Sequence, residues 1–130
     1  MPVFDTPITT DDRNLKKVLG QKQPAIVVLH DGSKKDKPLD DALNRAAKQN
    51  AGDLLVIRVD VSSNPEAHEK YGHPATPALV TLTQAFFGRK EKSRAEHIRP
   101  ADVRAHIDHL LKDTPLPEPK QSATQAASAA

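Results

Sequence analysis

The sequence predicts one α/β domain, a central mixed β-sheet flanked by helices, and three observations carry that prediction. Two short runs, Ala25–Leu29 and Leu54–Val59, are apolar almost throughout, as expected of strands covered on both faces in a parallel sheet. Between them Leu39, Ala42, Leu43 and Ala46/Ala47 recur at helical spacing and draw one apolar stripe. Further along, two extended stretches follow one another with no helix between them. This closing hairpin makes the sheet mixed rather than purely parallel.

Each element follows in chain order. Thr10-Asp11-Asp12 offers an N-cap and an acidic first turn, and Leu15, Val18 and Leu19 then recur at helical spacing until Gly20 stops the segment. A short strand near Val3-Phe4 would precede that helix. Pro24 and the turn His30-Asp31-Gly32-Ser33 bound the first buried strand, and the helix of the Leu39 stripe ends at Gly52. After Leu54–Val59, Asn64-Pro65-Glu66 starts a short helix: an Asn cap, Pro at the first helical position, and a carboxylate at the positive end of the dipole. It closes at Tyr71-Gly72.

Ala78–Thr83 reads as a third strand, which Phe86-Phe87 either extends or leaves. Gly88–Ser93 reads as a basic loop and Ala95–Ile98 as an edge strand. Pro100-Ala101-Asp102 starts a last helix, with Val103, Ile107, Leu110 and Leu111 on one face. The element order is α-β-α-β-α-β-β-α. Residues 1–112 are expected to form the domain. Residues 113–130 carry three Pro and, as their only large apolar residue, Leu116, so they are expected to form a disordered tail.

Composition removes several function classes. The formal charge of +2 is too small to mark a nucleic-acid binder, and besides His the aromatics are only Phe4, Tyr71, Phe86 and Phe87. No apolar run approaches a membrane span, and Met1–Asp5 has neither the basic start nor the apolar stretch of a secretory signal. A cytoplasmic location is the expectation. The chain has no Cys, which excludes disulfides, thiolate nucleophiles and zinc–cysteine or iron–sulfur sites built from its own residues.

The stretch Arg58–Val80 is the most specific part of the chain. Val59-Asp60-Val61-Ser62-Ser63-Asn64-Pro65, then Lys70-Tyr71-Gly72, then Ala75-Thr76-Pro77-Ala78 resembles the central segment of thioredoxins. There a V-D-x-x-x-N-P strand end, a helix ending in K-Y-G and a proline opening the next strand follow at this spacing. The resemblance spans roughly residues 3–112. It implies a thioredoxin-like fold, a cis Thr76–Pro77 bond, and a groove in which the backbone beside that proline pairs with an extended peptide.

Three departures from that pattern bear on activity. The family's Cys-containing segment falls within Asp31–Pro38, here DGSKKDKP. Its buried proton-relay Asp falls near Leu29, and the aromatic after it near His30. Dithiol exchange needs two thiols with a stabilised thiolate, and none is encoded. The expectation is a redox-inactive binding module with no catalytic residue and no cofactor. Its groove would be formed by Asp31, Gly32, Ser33, Lys34, Lys35, Thr76 and Pro77, and its partner would be an unidentified protein or peptide.

Two alternatives stand beside it. One is a non-thiol enzyme or anionic-ligand binder using His30 and the Lys34/Lys35/Lys37 loop. No nucleophile with an orienting acid accompanies His30, and Ser33 is near only in sequence. The other is a structural subunit docking through Phe86-Phe87 and the sheet edge. Asp102, His106 and His109 share metal-ligand spacing on the last helix, opposite its apolar stripe. They read as a solvated polar face, with no metal expected. Arg89-Lys90-Glu91-Lys92-Ser93-Arg94 reads as a charged hairpin tip that keeps an edge soluble.

Overall fold

A computed structural model describes residues 5–20, 23–32, 36–84 and 89–116. Its elements run β1 (Ile8–Thr10), α1 (Leu15–Val18), β2 (Ala25–His30), α2 (Lys37–Gln49), β3 (Leu55–Asp60), α3 (Pro65–Lys70), β4 (Ala78–Gln84), β5 (Arg89–Ala95) and α4 (Pro100–Lys112). The strands form one mixed sheet in the order β1-β3-β2-β4-β5. β1 and β2 lie parallel to β3, while β4 runs antiparallel to both β2 and β5.

Alternation along the strands sorts the core into two layers. Ile26, Val28, Val56 and Leu79 pack under α2 and α4 with Leu39, Leu43, Val103 and Ile107. On the other face Val27, Leu29, Ile57, Val59 and Val80 pack with Leu15, Ala67 and Tyr71 of α1, α3 and its end. β2 and β3 are apolar on both faces because helices cover both. α2 begins as its sequence implies: the Asp36 carboxylate accepts the Leu39 N–H at 3.2 Å, and Pro38 stands in the first turn, where its missing N–H costs no bond.

The structure corrects four readings. Thr10 is no helix cap; it is buried in β1, in register with Val59, and α1 shrinks to Leu15–Val18 behind Asn14. Asn64 does stand at the N-cap of α3, but its side chain does not cap the helix: its amide donates to the Asp60 carbonyl at 2.9 Å. Asp12 arrives from the loop after β1; its carboxylate accepts from Glu66 N–H at 3.1 Å and Ala67 N–H at 2.7 Å, while its own N–H donates to Asn64 Oδ1 at 3.0 Å.

The stretch read as a basic loop is itself strand β5. Pairing with β4 (Val80 opposite Arg94, Leu82 opposite Glu91) overrides a composition poor in β-formers. Ile98 lies past the strand and donates its N–H to the Pro77 carbonyl at 2.9 Å. Finally, His106 is not on a solvated face. It is buried, and its Nδ1 lies 2.9 Å from Ser93 Oγ, which in turn lies 2.7 Å from Thr81 Oγ1. The strand expected at Val3-Phe4, the placement of Phe86-Phe87, and most of the expected tail (117–130) lie outside the described residues.

Candidate functional site

The carboxyl ends of β2 and β3 finish side by side, with His30 in register with Asp60. β4 enters antiparallel to β2, and its first pair sets Ala78 against Leu29. One step further along that register brings Pro77 beside His30. The Thr76–Pro77 peptide is cis. The amino end of α2 closes the third side. These elements enclose an open cleft of about 340 Å³, lined by His30, Asp31, Gly32, Leu39, Thr76 and Pro77, with Asp36, Asp40 and Arg58 completing its wall.

The cleft therefore brings together Asp31, Gly32, Thr76 and Pro77 from the expected groove. Ser33, Lys34 and Lys35 lie outside the described residues. Lys37 is exposed and turned along its own helix, with Nζ 3.4 Å from Asp41. Sequence reasoning missed the wall formed by Asp36, Asp40, Arg58 and Leu39. Arg58 was the available signal: a cation inside an otherwise apolar strand must find a partner, and it finds Asp40 at 2.8 Å.

Local geometry fixes the mouth of the cleft. The Asp60 carboxylate accepts Gly32 N–H at 2.8 Å, Ser62 N–H at 2.9 Å and the Ser62 hydroxyl at 2.6 Å. The Ser62 hydroxyl and then the Gly32 N–H hold its pKa below the usual carboxylate value. A Cβ at position 32 would fall 2.0 Å from Asp60 Oδ2, so glycine is needed for close approach. His30 has its pKa lowered, first by burial and then by the neighbouring Arg58 cation. Its Nε2 and the Arg58 Nε are buried without a hydrogen-bond partner among the described residues. The Thr76 N–H and C=O have no backbone partner there either.

Among the described residues no group of three or more His, Cys, Asp or Glu side chains is placed to hold a metal ion. The metal-like spacing on α4 is dispersed into separate bonds. Asp102 accepts Arg99 N–H at 2.8 Å, His106 meets Ser93, and His109 Nδ1 lies 3.0 Å from the Thr114 carbonyl oxygen. No described helix is long and apolar enough to cross a membrane.

The sheet order, the antiparallel β4–β5 edge, helices on both faces and a cis-proline turn beside the end of β2 define the thioredoxin fold, here on a chain without a single thiol. Solved structures agree. A thioredoxin mutant (N21Q) from Halobacterium salinarum superposes with a TM-score of 0.72 at 16% identity, covering 88% of this chain and 99% of that one. Trichomonas vaginalis thioredoxin gives 0.70 at 20% identity, covering 80% of this chain and 96% of that one. Schistosoma mansoni thioredoxin gives 0.70 at 17% identity, covering 82% and 97% respectively. No protein-family model matches the chain, and no curated protein does so by sequence. The likeness is one of fold.

Proposed function

We propose that this thioredoxin-fold domain is a redox-inactive, non-catalytic module that receives an extended peptide or protein segment in the cleft beside Thr76–Pro77. One observation carries the reading: the Thr76 backbone, unpaired among the described residues, borders a cleft that also exposes the end of β2. An extended chain laid there would pair with Thr76 N–H and C=O as an added strand, and Leu39 and Pro77 would offer apolar contact. The reading takes the module to act in the cytoplasm.

Charge argues against the anionic-ligand alternative. The described wall carries Asp31, Asp36 and Asp40, and its cation Arg58 is already engaged by Asp40. Burial and Arg58 both disfavour the charged form of His30, so it adds little positive charge near neutral pH.

Binding to a peptide array, repeated with Thr76→Arg and Pro77→Ala, tests the proposal. The expected result is a set of captured sequences that both substitutions abolish. Capture indifferent to both changes would exclude this cleft as the site. An insulin-reduction assay should show no turnover, since the chain has no sulfur pair through which electrons can pass.

A further inference from the structure

The two longest described helices, α2 and α4, pack over the same face of the sheet and leave an open groove of about 520 Å³ between them. It shares no lining residue with the Thr76–Pro77 cleft. Ala46, Val103 and Ile107 form its floor, each nearly covered by its neighbours. Arg45 on α2, with Arg104 and Lys112 on α4, stand exposed around it.

Some cations on the described surface are paired. Lys37, Arg58, Lys92 and Arg94 each meet a carboxylate, in Asp41, Asp40, Asp113 and Glu91. Arg45, Arg104 and Lys112, like Lys16 and Lys48, make no salt bridge among the described residues, but these three line one groove. The groove's one carboxylate, Asp108, lies a helical turn from both Arg104 and Lys112 and pairs with neither. The alternatives on the same helices are occupied: Asp41 holds Lys37, Asp40 holds Arg58, and Asp102 accepts Arg99 N–H. Two facing helices thus converge three uncompensated cations on one concavity. Lys112 is also favoured there by the negative end of the α4 dipole.

We propose that this groove docks an acidic peptide segment of a partner protein. Its carboxylates would pair with Arg45, Arg104 and Lys112, and a small apolar side chain would rest on Ala46, Val103 and Ile107. The guanidinium forks of Arg45 and Arg104 suit carboxylates in two-point contact. The rim is solvent-exposed, so attraction is strongest at low ionic strength and is screened as salt rises. The surface is separate from the Thr76–Pro77 cleft, and either assignment stands without the other.

The test is fluorescence anisotropy of the whole chain with a short labelled peptide in which Glu residues flank a central Val. A matched peptide has Lys in place of Glu. The Glu peptide is expected to bind, more weakly as salt is added, and the Lys peptide is not. Arg45→Glu/Arg104→Glu should weaken binding about tenfold or more, the sum of two exposed ion pairs and their reversal. Thr76→Arg should leave it unchanged. The proposal is overturned if the Glu peptide does not bind, if the Lys peptide binds as well, or if the double variant matches the parent. A dimer in light scattering that Arg45→Glu/Arg104→Glu dissociates would give the groove to a second copy and also overturn it.

Discussion

Gly32→Ala is the sharpest perturbation of the cleft, because the added methyl has nowhere to go. Its carbon would lie 2.0 Å from Asp60 Oδ2 and 2.4 Å from Cγ. Gly32 does not have a positive φ, so alanine meets no backbone penalty and the whole effect passes through Asp60. The carboxylate must rotate out, giving up the N–H of Gly32 and both donors of Ser62. These bonds are exposed and water replaces them in part. At about 0.5–1 kcal/mol each, the loss is about 2 kcal/mol. In a domain of this size that lowers Tm by about 8 °C.

A double-mutant cycle isolates the cause. Urea unfolding followed by circular dichroism is run on the parent, Gly32→Ala, Asp60→Ala and the double variant. With the carboxylate gone, Gly32→Ala should cost less than about 0.5 kcal/mol. An equal cost in both backgrounds would refute the close-approach argument.

Other outcomes follow from single residues. Asp12→Ala removes the acceptor for Glu66 N–H and Ala67 N–H and should destabilise by about 1–2 kcal/mol, with faster amide exchange at those two residues. Tyr71→Phe should leave stability equal or higher by up to about 1 kcal/mol in thermal melts. The phenol is buried without a partner among the described residues, and burial, followed by Glu91, raises its pKa to about 12. Burial also lowers the pKa of His106 beneath 6.5, with His109 acting the same way and Asp102 opposing. The unfolded chain then binds more protons just below that value, so stability is full above it and declines as pH falls toward the native pKa. His106→Gln should flatten the urea midpoint between about pH 7 and pH 5, leaving the part due to His30, whose pKa is lowered as well.

The elements with their own periodicity were legible: β2, β3, α2 and α4 emerge from apolar runs and stripes within about three residues of their observed ends, α2 stopping at Gln49 rather than at Gly52. Elements defined by a distant partner were not. Ile8-Thr9-Thr10 is too short to show alternation and becomes a strand only against Ile57-Arg58-Val59. Arg89–Ala95 is a strand because β4 lies beside it. The capping role of Asp12 was hidden because the helix it caps begins at Pro65. His106 was legible and misread: Val103, His106, Ile107 and Leu110 stand at i, i+3, i+4 and i+7, on one stripe, and its polarity concealed its position. Of the cleft, Asp31, Gly32, Thr76 and Pro77 followed from the sequence. The Asp40–Arg58 wall required knowing that α2 folds back over β3.

The reciprocal bonds between Asp12 and the start of α3 join residues 52 to 55 positions apart in the chain. Closing so long a loop is entropically costly until the intervening β2-α2-β3 crossover has formed and holds Asn64 near its final place. The N-terminal strand and its clasp on α3 are therefore expected to form late in folding and to open early in unfolding. Asp12→Ala is then expected to raise the unfolding rate more than it lowers the folding rate, as read from the two arms of stopped-flow urea kinetics; a change confined to the folding arm would refute this order.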